Sequence, residues 1–340
     1  MNSAMTVRER FQAVMNFRPA DRLPMVEWAS WWDKTLDRWC AEGLPTRDRY
    51  GIYRHFGLDL WYQDWLRSRG PLTPAPAAHG APLIESMDDY ERIRPTLFPE
   101  PTPQQEEEWR RIAVLQARGE CVFWITLEGF FWFPRTLLGI EPHLYAFYDQ
   151  PELMHRLNRD LAEHHLRLLD RICRIVTPDF MTFAEDLSYN HGPMLSAELF
   201  REFLLPGYNR VVPRLRERGI LSIIDSDGQV EEPAAWFLEA GLDGILPLER
   251  QSGVDVARLR QNFPRLRLIG AFDKMTMTKG ETAMRAEFER LLPVMRQGGF
   301  IPSVDHQTPP GVSLPQYHTY LRLLTEYATA ARVSNPFSFS

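Results

Sequence analysis

The chain has 340 residues, of which 44% are hydrophobic and 25% are charged, and this balance excludes a disordered or collagen-like protein. Its 45 acidic residues outnumber its 39 lysines and arginines, so we expect no nucleic-acid partner. No apolar run approaches the roughly 18–20 residues that cross a bilayer, so we expect no membrane partner. The N-terminal segment places charges at helical spacing and lacks an apolar signal core, which is typical of a cytoplasmic protein.

Eight short apolar runs have the length of β-strands and alternate with longer helix-like stretches. In chain order they cover residues 23–28, 58–62, 121–127, 180–184, 220–224, 244–248, 266–272 and 300–304. Near-continuous apolar runs are typical of strands that are buried on both faces. The predicted helices cover residues 86–94, 104–119, 151–175, 196–218, 231–240, 255–262 and 281–297. Gly219, Gly241 and Gly298 each end a helix-like stretch just before a strand.

This alternation predicts an α/β fold, a (β/α)8 TIM barrel with extra N-terminal helices and loops. We expect one domain over residues 1–332 and a tail over residues 333–340. A doubly wound sheet is the alternative, but no GxGxxG motif follows any of the runs. Residues 68–82 are rich in proline, alanine and glycine, which predicts a surface loop at the barrel mouth.

An acidic residue ends or follows every predicted strand. These residues are Glu27, Asp64, Glu128, Glu185 with Asp186, Asp225 with Asp227, Glu249, Asp273 and Asp305. Reactive groups of TIM barrels lie at the C-terminal ends of the strands, so we predict one shared acidic cavity. Helix and turn capping is the alternative for each residue taken singly. Crowded carboxylates need a compensating cation, for which a metal, Arg135, Arg250 or Lys274 are candidates.

The segment IIDSDGQ suggests a metal site. Asp225 and Asp227 are two residues apart, so an extended strand places them on one face, where they suit Mg²⁺, Mn²⁺ or, with a histidine, zinc. An Asx-type turn is the alternative. His306 follows the last strand and adjoins Asp305, which favours a role as ligand or general acid/base. The predicted metal ligands are Asp225, Asp227, Glu249 and His306.

Tryptophans are frequent near the predicted ends of the first three strands, among them Trp28 and Trp132. Core packing explains this, but aromatic walls also suit a flat or methylated ligand. The predicted catalytic residues are Glu185, Asp186, Tyr189, Asp227 and His306. The predicted substrate-binding residues are Glu27, Trp28, Glu128, Trp132, Asn190, Asp273 and Lys274.

The second half of the chain resembles the uroporphyrinogen decarboxylase superfamily. The resemblance lies in FAEDLSYNHGPMLSAELF, IIDSDGQ, GILPLE, LIGAFDK and GGFIPSVDHQTPPGVS, and it extends over residues 129–327. It implies a TIM barrel. It also implies either a porphyrinogen decarboxylase or a methyltransferase that passes methyl groups among corrinoid proteins, thiols and methoxylated substrates.

The sequence departs from both branches of this superfamily. Where the decarboxylases carry two arginines in RQAGR, this chain has EWASW at residues 27–31, so a ring of acids would repel an octacarboxylate. The methyltransferases carry His-x-Cys-Gly and a later cysteine, which bind zinc. The corresponding tetrad here is Asp225-Ser226-Asp227-Gly228, with Ser303, Asp305 and His306 near the last strand, so hard donors replace thiolates.

Three functions remain open on the sequence. The first is a metal-assisted methyltransferase that acts on a small methylated substrate, with a thiol or a corrinoid carrier protein as acceptor. The second is a metal-free decarboxylase that uses Asp227 or Asp273, and the third is a ligand-binding barrel without chemistry. The sequence shows no corrinoid-binding domain, and it leaves a homodimer open.

Overall fold

A computed structural model of the chain describes residues 4–331, so the predicted tail lies outside the described residues. The strands are β1 (Trp61–Leu66), β2 (Val122–Glu128), β3 (Phe180–Ala184), β4 (Ser188–Tyr189), β5 (Gly192–Pro193), β6 (Leu221–Asp225), β7 (Gly244–Leu246), β8 (Arg267–Phe272) and β9 (Phe300–Val304). The α-helices are α1 (Val7–Met15), α2 (Asp33–Ala41), α3 (Arg49–Phe56), α4 (Met87–Ile93), α5 (Pro103–Ala117), α6 (Trp132–Leu138), α7 (Ile140–Asp149), α8 (Pro151–Ile172), α9 (Ala197–Leu199), α10 (Leu205–Glu217), α11 (Ala234–Glu239), α12 (Val256–Asn262), α13 (Glu281–Met295) and α14 (Leu314–Ala330).

The described residues group into two compact units. The first unit comprises residues 4–62, 115–122 and 245–331, and the second comprises residues 63–114 and 123–244. A single domain over residues 1–332 therefore stays a prediction.

The strands confirm an α/β fold. Seven are hydrogen-bonded in the order β1-β2-β3-β6-β7-β8-β9, and β4 and β5 form a separate pair. In the second unit β2, β3 and β6 are parallel, and in the first unit β8 and β9 are parallel. The order of the seven strands ends at β1 and β9. A closed eight-stranded barrel is therefore not confirmed.

The predicted first strand, residues 23–28, is not a strand in the structure, although all six residues are buried. Pro24 has no backbone N–H to give to a neighbouring strand. The N–H of Met25 donates to a carboxylate oxygen of Asp59 at 2.9 Å, and Asp59 returns its own N–H to the Met25 carbonyl at 2.8 Å. A side chain thus takes the place of a strand partner, so the segment is extended and buried without joining the sheet.

The remaining predicted elements are present, β3 and β9 with the predicted bounds and the others with shifted ends. The predicted helix over 151–175 is α8, and the one over 196–218 consists of α9, a π-helical turn at Phe200–Leu204, and α10. The three predicted helix-ending glycines have φ between 71° and 78°, a left-handed conformation that suits glycine. Within residues 4–331, no helix has the length and apolar character required to cross a membrane.

Candidate active site

The register of the parallel strands brings strand-end acids together in the second unit. Ala184, the last residue of β3, pairs with Asp225, the last residue of β6. The N–H of Glu185 donates to the Asp225 carbonyl at 2.8 Å. The acids that follow β3 and β6 are therefore neighbours, as the sequence predicts for these two strands.

Asp186, Asp225 and Asp227 form what we call the aspartate trio. The N–H of Asp227 donates to Oδ1 of Asp186 at 3.3 Å. Burial raises the pKa of Asp225 well above its usual value, and the negative charges of Asp186 and Asp227 raise it further. All three influences favour the protonated form of Asp225.

A cavity of about 390 Å³ in the second unit is lined by Arg69, His79, Trp132, Arg135 and Asp186, among others. We call it the guanidinium cavity. Nη1 of Arg135 donates to the Asp186 carbonyl at 3.5 Å, and its guanidinium carbon lies 5.4 Å from the centre of the Trp132 ring. Arg69 and Arg135 are half-buried, and within residues 4–331 neither has a carboxylate ion-pair partner. Two unpaired guanidinium groups favour an anionic ligand.

This cavity adds Arg69 and His79 to the predicted acidic cavity, for which the sequence named Arg135 as a candidate cation. Arg69 and His79 lie in the 68–82 loop, which the sequence predicted only as a surface loop. The loop is held to α7 by the Ile140 N–H, which donates to the Gly80 carbonyl at 3.2 Å. These contacts join segments that are far apart in sequence. No local sequence pattern therefore predicted that Arg69 and His79 would line this cavity.

Glu185 is fully buried, and its carboxylate belongs to the protein interior rather than to the cavity wall. One oxygen accepts from the Phe130 N–H at 2.7 Å, and the other accepts from the N–H groups of Phe131 at 2.7 Å and Trp132 at 3.2 Å. The Tyr208 hydroxyl also donates to it. Burial raises the pKa of Glu185 to about 7, although these donors oppose the rise. These contacts give the Glu185 carboxylate a structural role, and its predicted acid/base role stays a prediction.

Three further predicted site residues of the second unit, Glu128, Tyr189 and Asn190, are not among the residues that line the guanidinium cavity. Glu128 is buried, and its Oε2 accepts from the Ser68 N–H at 2.9 Å, which fixes the start of the loop. Tyr189 and Asn190 are exposed beside the β4–β5 turn. Their catalytic and binding roles stay predictions.

The first unit contains a second group of strand-end side chains, built around Lys274. Its Nζ lies 3.2 Å from Oδ1 of Asp305 and 3.7 Å from Glu249, and it donates to Gln251 at 2.9 Å. Asp305 is fully buried and also accepts from the Arg250 N–H at 2.9 Å. Burial raises the pKa of Asp305 to about 6, while Lys274 opposes the rise. Two carboxylates and an amide oxygen thus surround the ammonium group of Lys274.

Asp273 and His306 lie beside this network. Oδ1 of Asp273 accepts from the Met275 N–H at 2.9 Å and from the Gln251 amide at 2.6 Å, so Asp273 caps the turn that follows β8. His306 is half-buried, and burial lowers its pKa, with Lys274 lowering it further. The neutral ring lies edge-on to Trp28, with 6.3 Å between ring centres.

Glu27 and Trp28 lie inside the first unit. Glu27 is 1% exposed and accepts from the Ser303 hydroxyl at 2.9 Å and from the Tyr317 hydroxyl at 3.0 Å. The indole N–H of Trp28 donates to the Val304 carbonyl at 2.9 Å. Burial raises the pKa of Glu27 to about 7. Both side chains thus join the buried 23–28 segment to β9, and their predicted contact with substrate stays a prediction.

The four predicted metal ligands are divided between the units, with Asp225 and Asp227 in the second and Glu249 and His306 in the first. In the part of the chain that the structure describes, no three His, Cys, Asp or Glu side chains are arranged to hold a metal ion. The donor set therefore does not fit the zinc or other divalent metal that the sequence predicted, and we assign no reaction step to a metal.

The comparisons with known proteins identify the family. The family model described as uroporphyrinogen decarboxylase (URO-D) matches residues 136–327, which is more than half of the chain. The chain therefore belongs to the uroporphyrinogen decarboxylase family, which confirms the resemblance seen in the sequence. No curated protein matches the chain significantly.

Solved structures that align with this chain share little sequence with it. A B12-independent methionine synthase from Shewanella sp. W3-18-1, in complex with selenomethionine, is 13% identical with a TM-score of 0.41; the match covers 66% of this chain and 65% of that one, just under two thirds. A Listeria monocytogenes protein, provisionally assigned as a vitamin-B12-independent methionine synthase, is 13% identical with a TM-score of 0.36, covering 78% and 100%. A psychrophilic family 10 endo-β-1,4-xylanase is 12% identical with a TM-score of 0.35, covering 69% and 91%.

Proposed function

We propose that the chain is an enzyme of the carboxy-lyase type that acts on a small carboxylic acid held in the guanidinium cavity. The observation that carries this proposal is the pair of half-buried guanidinium groups, Arg69 and Arg135, without a carboxylate partner in residues 4–331. The volume of about 390 Å³ lies at the small end of ligand cavities, which span roughly 300–1,000 Å³. The substrate is therefore a small acid.

The aspartate trio supplies the proton that this reaction needs. Decarboxylation breaks a carbon–carbon bond, releases CO2 and leaves the electron pair on carbon, which must then accept a proton. Asp186 lines the cavity, and its negative charge raises the pKa of Asp225, which favours a proton on Asp225. Arg69 and Arg135 bind a carboxylate of the substrate, and Trp132 packs against its apolar part.

The experiment is CO2 release from carboxyl-labelled small mono- and dicarboxylic acids in EDTA. We expect Asp225→Asn to lower kcat about a hundredfold, because general acid catalysis contributes roughly 10²–10⁴-fold. Arg135→Gln should raise KM about tenfold, and Arg174→Gln, at an exposed position of the second unit, serves as the control. A KM that does not change in Arg135→Gln contradicts the proposal.

Methyl transfer, the function that the sequence favoured, is the second candidate. The observation in its favour is Trp132, whose ring offers an aromatic wall to a methylated group beside a proton donor. In this reaction the trio protonates the heteroatom that the methyl group leaves, and a thiol or a corrinoid carrier protein accepts the methyl group. Demethylation of methoxylated or methylamine substrates, with no CO2 released, distinguishes the two candidates.

A further inference from the structure

We propose that Glu185 is a positioning residue, which holds Trp132 and Arg135 in register with Asp186 in the guanidinium cavity. This inference rests on the proposed function, because that function gives Arg135 and Asp186 their roles. Nothing in the family match or the solved structures assigns a role to Glu185.

The first step is the convergence of backbone donors on one carboxylate. The first N–H groups of a helix have no partner within it, and α6 begins at Trp132. The N–H of Trp132 and those of the two preceding residues, Phe130 and Phe131, all donate to Glu185. The preceding N–H, of Gly129, donates to the Ala184 carbonyl at 2.8 Å. Four consecutive N–H groups before and at the start of α6 are thus bound to the end of β3.

The second step is the closeness of this contact. A Cβ added at Gly129 would lie 2.1 Å from the carboxyl carbon of Glu185, so the approach requires a residue without a side chain. Oε1, which accepts from the Phe130 N–H, also accepts from the Tyr208 hydroxyl of α10, and the Phe130 ring packs edge-on against Tyr208 with 5.0 Å between ring centres. The carboxylate is therefore held from two helices.

The third step links the contacts of the Glu185 carboxylate with residues 130–132 and Tyr208, which we call the clamp, to the guanidinium cavity. Glu185 and Asp186 are consecutive, and Asp186 has a left-handed φ of 42°, so the chain turns sharply between the clamp and the cavity wall. Trp132 and Arg135 lie on α6, and Glu185 binds the Trp132 N–H at the start of that helix. The direct hydrogen bond between Arg135 and Asp186 is long, at 3.5 Å from Nη1 of Arg135 to the Asp186 carbonyl oxygen. Glu185 is thus the stronger link between the two groups that would bind and protonate the substrate.

The experiment compares Glu185→Gln with Tyr208→Phe, and uses Glu152→Gln, at an exposed position of α8, as the control. Glutamine offers one acceptor and turns an NH2 group toward backbone donors, whereas Tyr208→Phe removes one donor and keeps the carboxylate. Amide hydrogen exchange at residues 130–132 reports the clamp directly. Titration with succinate, monitored by calorimetry, reports the cavity.

We expect Glu185→Gln to speed exchange at residues 130–132 and to weaken succinate binding about tenfold, with a smaller loss in Tyr208→Phe. In turnover, we expect KM to rise by a larger factor than kcat falls. A variant that only folds less well would behave differently, because a smaller folded fraction lowers the apparent kcat and leaves KM unchanged. Faster exchange with unchanged succinate affinity overturns the inference. If Glu185→Gln does not fold, the same comparison in Tyr208→Phe decides.

Failure of the proposed function has a different signature. If Arg135→Gln binds succinate as well as the unmodified chain does, the guanidinium cavity is not the anion site and the positioning role falls with it. If Arg135→Gln loses binding while Glu185→Gln keeps it with faster exchange, only the positioning inference fails.

Discussion

Replacing Glu27 by glutamine should change the pH dependence of stability. The carboxyl is 1% exposed, and burial raises its pKa from 4.5 to about 7. Below pH 4.5 the group is neutral in both the folded and the unfolded chain. As the pH rises above 4.5, the Glu27 carboxyl ionises in the unfolded chain, whereas burial keeps it protonated in the folded chain up to about pH 7. The free energy of unfolding that this group contributes is therefore lost as the pH rises from 4.5 to 7.

The size of the effect follows from the pKa shift. A rise of about 2.5 units at roughly 1.4 kcal/mol per unit amounts to about 3 kcal/mol, of which about 2.5 kcal/mol falls between pH 5 and pH 8. Glutamine keeps the shape and does not titrate. The free energy of unfolding of Glu27→Gln, relative to the unmodified chain, should therefore rise by about 2.5 kcal/mol across this range, on top of a constant offset from altered hydrogen bonds.

The assay is urea unfolding at several pH values, followed by far-UV circular dichroism. Glu107→Gln, at a side chain that is 77% exposed, is the matched control and should show no such trend. A difference between Glu27→Gln and the unmodified chain that stays constant within about 0.5 kcal/mol would refute the reasoning, since extrapolation error is about that size.

Two further predictions concern packing and charge balance. Gly129→Ala should lower the free energy of unfolding by about 3 kcal/mol because its Cβ overlaps Glu185, whereas Gly311→Ala, whose nearest atom lies at 3.6 Å, should be nearly neutral in the same urea experiment. Lys274→Met leaves Asp305 buried without its cation, so we expect a loss of about 3 kcal/mol at pH 8 and less at pH 5, where Asp305 is protonated. Equal losses at both pH values would contradict the role of this ion pair.

The strands were predictable because each is an apolar run long enough for a buried strand, and β3 and β9 have the bounds expected. The error at residues 23–28 arises because burial and apolar character do not guarantee a strand partner. Pro24 lacks an N–H, and Asp59, more than thirty residues away, takes the bond that a strand would make. That pairing is tertiary and leaves no mark in the local pattern.

The positions of Asp186, Asp225 and Asp227 at the ends of β3 and β6 predicted that they would be neighbours, and their chemical roles stay predictions. Of the two arginines in the cavity, the sequence named Arg135 as a candidate partner for the acids and did not name Arg69. Arg69 enters the cavity from a loop without periodicity, and only the folded chain brings it there. Position alone also could not separate Glu185, which faces the start of α6, from its neighbour Asp186, which faces the cavity.

The central claim is that Arg69 and Arg135 bind a carboxylate in the guanidinium cavity. Calorimetric titration of succinate into the unmodified chain and the variants Arg69→Gln, Arg135→Gln and the double variant tests it directly. We predict saturable binding that each single substitution weakens about tenfold and that weakens further at high salt. Equal succinate affinity in the double variant and the unmodified chain would contradict the account.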